Sequence, residues 1–312
     1  MTTETKSLQG RVAIVTGGAR GIGKAIVEAL HARGASVVIA DNGAAVNGDG
    51  EDANVAQALA KTLGANTIAF TQNMASPAAA QAAVKLALDT FGGVDIIVNN
   101  AAILRDAMLF KGNPADWDRV MQNNLSAAYY LLNAATPVLR DQAKSGRGGE
   151  SYQWGRVVNM LSTAGLYGNV GTSNYASAKG GLFSLTRVTA QEMSRSNVTA
   201  NAICPFAATR VTDLVPEGEY KTRAQKIDAA HVGGFVAFLC SPEAQAISGQ
   251  LFGARGREIF LFSQPRPIAC VLKPAEGEWT AAQLADQMKE DFVPKFVDLS
   301  TDLDAFNYEP VV

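Results

Sequence analysis

With 312 residues, 47% of them hydrophobic and 18% charged, the chain can build a large core, and long disordered stretches are excluded. Lys and Arg number 27 against 29 Asp and Glu, and the net charge of −2 lacks the basic excess of a nucleic-acid-binding surface. No apolar run is long enough to span a membrane, and Met1–Gly10 lacks the apolar stretch of a signal peptide, so a cytoplasmic protein with no membrane partner is expected.

The first apolar run, Val12–Val15, is short and β-branched and stops at Thr16-Gly17-Gly18, as a buried strand does. Ile22, Ile26, Val27 and Leu30 share one face of a helix that runs to Arg33 and ends at Gly34. A second strand, Val37–Ala40, ends at Asp41 and is followed by a long loop, Asn42–Asp52. A helix over Val55–Leu63, a strand over Thr67–Phe70 and an alanine-rich helix to about Phe91 follow, the last opened by Ser76 as N-cap and Pro77 at the first helical position. Further strands are predicted at Val94–Val98, Arg156–Met160, Val198–Ile203 and Ile259–Phe262. Pro114 to about Arg140 holds two helices, Asn174–Ser194 is a long helix, and Phe235–Leu239 lies in another. The polar, glycine-rich stretch Asp141–Gly155 reads as a surface loop. Alternation of strands and helices implies a Rossmann-type α/β fold, a doubly wound parallel sheet with helices on both faces. Ligands of such sheets bind beyond the carboxyl ends of the strands. Cys204, Cys240 and Cys270 are far apart and read as reduced thiols, and His31 and His231 have no metal-ligand spacing, so no metal site is expected.

Gly17, Gly21 and Gly23 occupy the turn from the first strand into the first helix. Glycines there let the backbone approach a pyrophosphate, which the free N–H groups and dipole of the helix N-terminus then hold. Arg20, inside the turn, either meets phosphate or is solvated. Asp41 can accept hydrogen bonds from the ribose hydroxyls of an adenosine and would repel a 2′-phosphate, so NAD is the expected cofactor. Tyr175 and Lys179 are four apart, so on a helix they share a face. A phenol is a poor base at neutral pH, but a neighbouring ammonium favours the phenolate and makes a usable general base. Ser162, at the end of the fifth strand, can hold a substrate oxygen.

At these residues the sequence resembles the short-chain dehydrogenase/reductase family. The matching motifs are T-G-G-A-R-G-I-G at Thr16–Gly23, N-N-A-A at Asn99–Ala102, Asn124 in an N-N-L run, Ser162, Y-A-S-A-K at Tyr175–Lys179 and N-A-I-C-P at Asn201–Pro205, within residues 9–255. The resemblance implies a tetrad of Asn124, Ser162, Tyr175 and Lys179. In it Tyr175 exchanges the proton, Lys179 also binds the nicotinamide ribose, and Asn124 holds a relay water. It further implies cofactor contacts from Gly17, Arg20, Gly21, Ile22, Gly23, Asp41, Asn73, Met74, Asn100, Ala101, Tyr175, Lys179, Pro205 and Thr209. Three departures stand out. Ala102 replaces a glycine, which matters only if positive φ is needed there. Asn73 replaces an aspartate near the adenine. Phe206 replaces a glycine after Pro205 and is expected to narrow the pocket near the nicotinamide.

The loop after Asp41, the A-A-I-L-R-D run after Asn100 and L-Y-G-N-V-G-T-S-N-Y before the lysine look like the (3R)-hydroxyacyl-CoA dehydrogenase units of multifunctional β-oxidation enzymes and their single-domain bacterial relatives. That implies oxidation of a 3-hydroxyacyl-CoA, in β-oxidation or steroid side-chain degradation, by a homodimer or homotetramer. A hydroxysteroid dehydrogenase, a 3-oxoacyl-carrier-protein reductase and a non-catalytic NAD-binding regulator are the alternatives. Residues 1–256 are expected to form the dehydrogenase domain and 257–312 a C-terminal extension on the same domain or a neighbouring subunit, with an amphipathic helix at Trp279–Met288. Lys221, Arg223 and Lys226 are either a solvated charged loop or contacts for coenzyme A phosphates.

Overall fold

Strands covered on both faces need no polar alternation, and Val12–Thr16 (β1), with every residue buried, is such a strand. The computed structural model describes residues 6–147, 152–213, 217–263, 269–273, 279–297 and 299–312. Beside β1 stand Ser36–Ala40 (β2), Thr67–Phe70 (β3), Ile96–Asn99 (β4), Gly155–Met160 (β5), Val198–Phe206 (β6), Leu251–Arg255 (β7) and Glu258–Leu261 (β8), in the order β3-β2-β1-β4-β5-β6-β7-β8. β1 to β7 are parallel, and β8 turns back antiparallel on β7. Because β1 pairs with both β2 and β4, the chain reverses direction across the sheet there, and a crevice opens at the carboxyl ends.

Successive side chains of each strand feed opposite cores, as the period of two demands. Ala13, Val15, Val37 and Ile39 meet Gly21–Ala32 (α1) and Ala229–Leu239 (α10) on one face. Val12, Ile14, Val38 and Ala40 meet the other layer, Pro77–Phe91 (α3), Ala127–Gln142 (α5) and Ser173–Met193 (α7). The Ser76 hydroxyl accepts the Ala79 N–H at 3.2 Å, so the expected cap is in place. The two helices expected over residues 114–140 are Pro114–Met121 (α4) and α5, joined by a π-helical turn at Gln122–Ser126.

The stretch expected as a surface loop at 141–155 is partly drawn inside, with 148–151 outside the described residues. Asp95, fully buried, accepts the Val12 N–H at 2.9 Å, the Tyr152 hydroxyl at 3.0 Å and Arg147 Nη2 at 2.8 Å. Gln142 brackets the Val94 backbone, its Oε1 accepting the N–H at 3.0 Å and its Nε2 donating to the carbonyl at 2.7 Å. A buried carboxylate needs these donors, and it pulls a polar segment into the fold to obtain them. β7 was not expected, because Gly253 and Arg255 interrupt its apolar pattern. The amphipathic helix predicted at 279–288 is Ala281–Gln287 (α11), but it buries none of its residues.

Removing the Asp95 charge leaves its donors poorly matched. Asp95→Asn is expected to lower unfolding stability in urea by about 3 kcal/mol. Tyr152→Phe, which loses one neutral donor, is expected to cost about 1 kcal/mol.

Candidate active site

The turn after β1 is built so that backbone lies open at a helix start. Gly17 and Gly21 have positive φ, and a Cβ on Gly23 would collide with the Gly17 carbonyl oxygen. The end of β4 locks this turn from the side. Thr16 Oγ1 accepts the N–H groups of Asn100 at 3.0 Å and Ala101 at 3.1 Å, and Asn100 Nδ2 donates to the Thr16 carbonyl at 3.0 Å. No side chain caps the N-terminus of α1, and the buried Nε of Arg20 has no hydrogen-bond partner. A cradle free of Cβ atoms at an uncapped helix N-terminus fits a dinucleotide pyrophosphate. Among the described residues Asn197 is the non-glycine residue with positive φ, so Ala102 carries no strain from its missing glycine.

A single cleft runs from this turn along the carboxyl edge of the sheet. Gly17, Arg20, Gly21, Ile22, Gly23, Asp41, Asn73, Met74, Asn100, Ala101, Asn124, Tyr175, Lys179, Pro205 and Thr209 all border it. Ser162 and Phe206 do not. The Ser162 hydroxyl accepts the Ala164 N–H at 3.2 Å, and the Phe206 ring packs on Phe306 with centroids 4.8 Å apart instead of narrowing the cleft. Asp41 is already engaged, one oxygen accepting the Ala19 N–H at 3.0 Å and the other the Gly43 N–H at 2.8 Å. Each oxygen retains a further lone pair for a ribose hydroxyl. Arg20 is half-buried in the turn, and its Nη2 donates to the Ala44 carbonyl at 2.7 Å. Arg210, unmarked in the sequence, reaches the same carbonyl at 3.4 Å, and burial together with the Arg20 charge lowers its pKa.

At the far end stand Tyr175 and Lys179 on α7. Lys179 is 2% exposed, and its Nζ donates to the Met160 carbonyl at 2.7 Å and sits 5.7 Å from the Tyr175 ring centre. Burial pushes its amine down to about 8, opposed by neighbouring Cys204. Asn124 is buried in the π-helical turn. Its Oδ1 accepts the Ile103 N–H at 2.8 Å and its Nδ2 donates to the Ile103 carbonyl at 2.9 Å, so its side-chain amide clamps the β4–α4 connection.

The C-terminal residues return to this edge. Buried Arg255 donates to the carbonyls of Phe306 and Tyr308, and Arg257 N donates to Val311 at 2.8 Å. Arg223 and Lys226 grip Glu309 at 3.0 and 3.1 Å, while Lys221 pairs with Glu217 at 2.6 Å. The three cations thus hold protein carboxylates in this structure.

A family model described as short chain dehydrogenase matches residues 11–219. The chain is a short-chain dehydrogenase. Among solved structures, a short chain dehydrogenase from Mycobacterium avium is 31% identical, with a TM-score of 0.78, over 91% of this chain and 95% of that one. Hydroxyacyl-CoA dehydrogenase ChsB1 of Mycobacterium tuberculosis is 39% identical over 85% of this chain and 83% of its own length. The 3-oxoacyl-[acyl-carrier-protein] reductase FabG of Vibrio cholerae is 37% identical over 80% of this chain and 98% of its own. This short-chain dehydrogenase is thus an oxidoreductase acting on CH–OH groups with a nicotinamide cofactor. No helix among its described residues is long and apolar enough to cross a membrane.

The buried lysine makes stability depend on pH. Between about 8 and the ordinary value of 10.5 the unfolded chain holds a proton that the folded one has lost, so stability rises with pH through that window. Measured against Lys179→Met, the unfolding free energy of the parent is expected to climb there by roughly 3 kcal/mol at most.

Proposed function

We propose that this short-chain dehydrogenase oxidises a secondary alcohol with NAD, reversibly, and that its substrate is a 3-hydroxyacyl-CoA. The observation that carries the catalytic reading is the buried Lys179 one helical turn from Tyr175, both at the end of a cleft that begins at a glycine cradle. The bound nicotinamide supplies hydride acceptance. The protein's own task is the proton. The Lys179 ammonium favours the Tyr175 phenolate, which takes the hydroxyl proton of the substrate. The Ser162 hydroxyl holds the substrate oxygen after a small reorientation from Ala164, and Asn124 organises the β4–α4 connection beside the proton's exit path. Gly17–Gly23 hold the pyrophosphate, Asp41 accepts from the adenosine ribose, and Asn73, Met74, Pro205 and Thr209 line the remainder.

Three things support the acyl-CoA substrate: the similarity to ChsB1, the apolar side chains Leu109 and Phe110, 80% and 78% exposed, and Val170 close by. Ala107 bridges to Thr172, which brings those apolar side chains to the same rim as the start of α7. Residues 1–256 form the dehydrogenase unit and 257–312 its extension, and the protein works as a cytosolic homo-oligomer. A second reading, reduction of a 3-oxoacyl thioester with NADPH, is favoured by Arg20 and Arg210 beside Asp41, two cations suited to a 2′-phosphate.

The test is absorbance at 340 nm with (3R)-hydroxyacyl-CoAs and hydroxysteroids, each with NAD and with NADP. Thioester turnover with NAD is expected, falling on the order of 10²–10⁴-fold in Tyr175→Phe while dinucleotide binding persists. Preference for NADP supports the second reading, and turnover of free steroids alone overturns the acyl-CoA assignment.

A further inference from the structure

We propose that Arg105 is a positioning residue that latches the 42–52 loop as a strap over the dinucleotide cleft and ties its closure to the helix presenting Tyr175. The proposal rests on the reading that this cleft holds a nicotinamide dinucleotide. The loop leaves Asp41 and is closed at its base where Asp52 N donates to the Asn42 carbonyl at 2.8 Å. Its tip is sewn to the β4–α4 connection on the other side of the crevice. Leu104 N donates to the Val46 carbonyl at 2.9 Å, Arg105 Nε to the Asn47 carbonyl at 2.9 Å, and Arg119 Nη2 to the Gly48 carbonyl at 2.6 Å. Asp49 pairs with Arg105 at 2.6 Å and with Arg119 at 2.9 Å, and Arg105 reaches Asp116 at 2.8 Å. Gly48, at φ +83°, lies so close that an added Cβ would sit 3.0 Å from Ile103, the residue clamped by Asn124.

Ala44, Val46 and Gly48 border the cleft between Asp41 and Ile103, so the strap crosses from the adenosine side to the catalytic side. The other half of the coupling is main-chain. The Arg105 carbonyl accepts Asn174 Nδ2 at 2.9 Å, and Asn174 Oδ1 accepts the N–H of Tyr175 at 2.7 Å. One residue thus grips the strap with its guanidinium and the first turn of α7 with its carbonyl. The planar guanidinium fork spreads its five donors widely enough to hold a loop carbonyl and two separate carboxylates, whereas a lysine ammonium offers three donors from a single point. Arg105 is 19% exposed but Asp49 and Asp116 are 55% and 36% exposed, so the latch rests on the combined geometry of the fork more than on any one charge pair.

The experiment uses the parent, Arg105→Lys and Asp49→Asn. NADH and NADPH dissociation is followed by fluorescence, and hydrogen exchange of 42–52 and 172–176 is read with and without dinucleotide. In the parent, bound dinucleotide is expected to slow exchange in both segments. In each variant dissociation speeds up roughly tenfold, as for loss of a charge-assisted bond, and the protection of 42–52 fades. Asp49→Asn alters an exposed carboxylate and carries the test should Arg105→Lys not fold. Dissociation within twofold of the parent in folded variants, or exchange of 42–52 that ignores dinucleotide in the parent, overturns the strap. A parent that binds neither dinucleotide overturns the cofactor reading beneath it.

Discussion

A lysine kept out of water sets the terms for everything at the carboxyl edge. The Lys179 amine is stripped of solvent and donates a hydrogen bond to the Met160 carbonyl. Met160 closes β5 opposite Ile203 of β6, so the position of that acceptor depends on the register of the central strands. A slip of one residue would turn every side chain of the strand to the opposite face. The depressed basicity of the lysine follows from this burial, which also limits screening of its charge toward the phenol ring one turn away.

The two edges of the sheet divide the labour. The amino edge holds a dense polar network: Asp95 with its donors, and buried Arg156, whose Nη atoms donate to the carbonyls of Gln153 and Ser241 while its Nε has no partner. These bonds secure β4, β5 and the segment between α5 and β5 far from the chemistry. The carboxyl edge is left with capacity to spare, an unpartnered Arg20 Nε, open backbone in the glycine turn and lone pairs on Asp41. A site that must bind and release a large anion needs such reserve, and a fold can supply it only if stability is secured elsewhere.

Local spacing made much of this readable. The glycine turn, Asp41 at a strand end and the Tyr175–Lys179 interval are short-range patterns, and each lies in the cleft. What stayed hidden depends on partners distant in the chain. Arg105 meets Asp49, 56 residues earlier, and Arg147 meets Asp95, 52 residues earlier. Neither interval has a periodicity to betray it. β7 was lost because its arginine looks out of place until the carbonyls of Phe306 and Tyr308 arrive to meet it. The sequence marks Ser162 and Phe206 as residues of interest, but rotamer and neighbours decide where their side chains point. The amphipathic pattern of α11 buries none of its residues among the described ones.

The grip of Arg255 on the last residues also bears on how the molecule is finished. A buried guanidinium short of acceptors is expensive, and beside Glu258 the acceptors here are carbonyls 51 and 53 residues downstream. During synthesis the first six strands can emerge before these acceptors do, so the edge formed by β7 and β8 gains them only once residues 306–308 have been made.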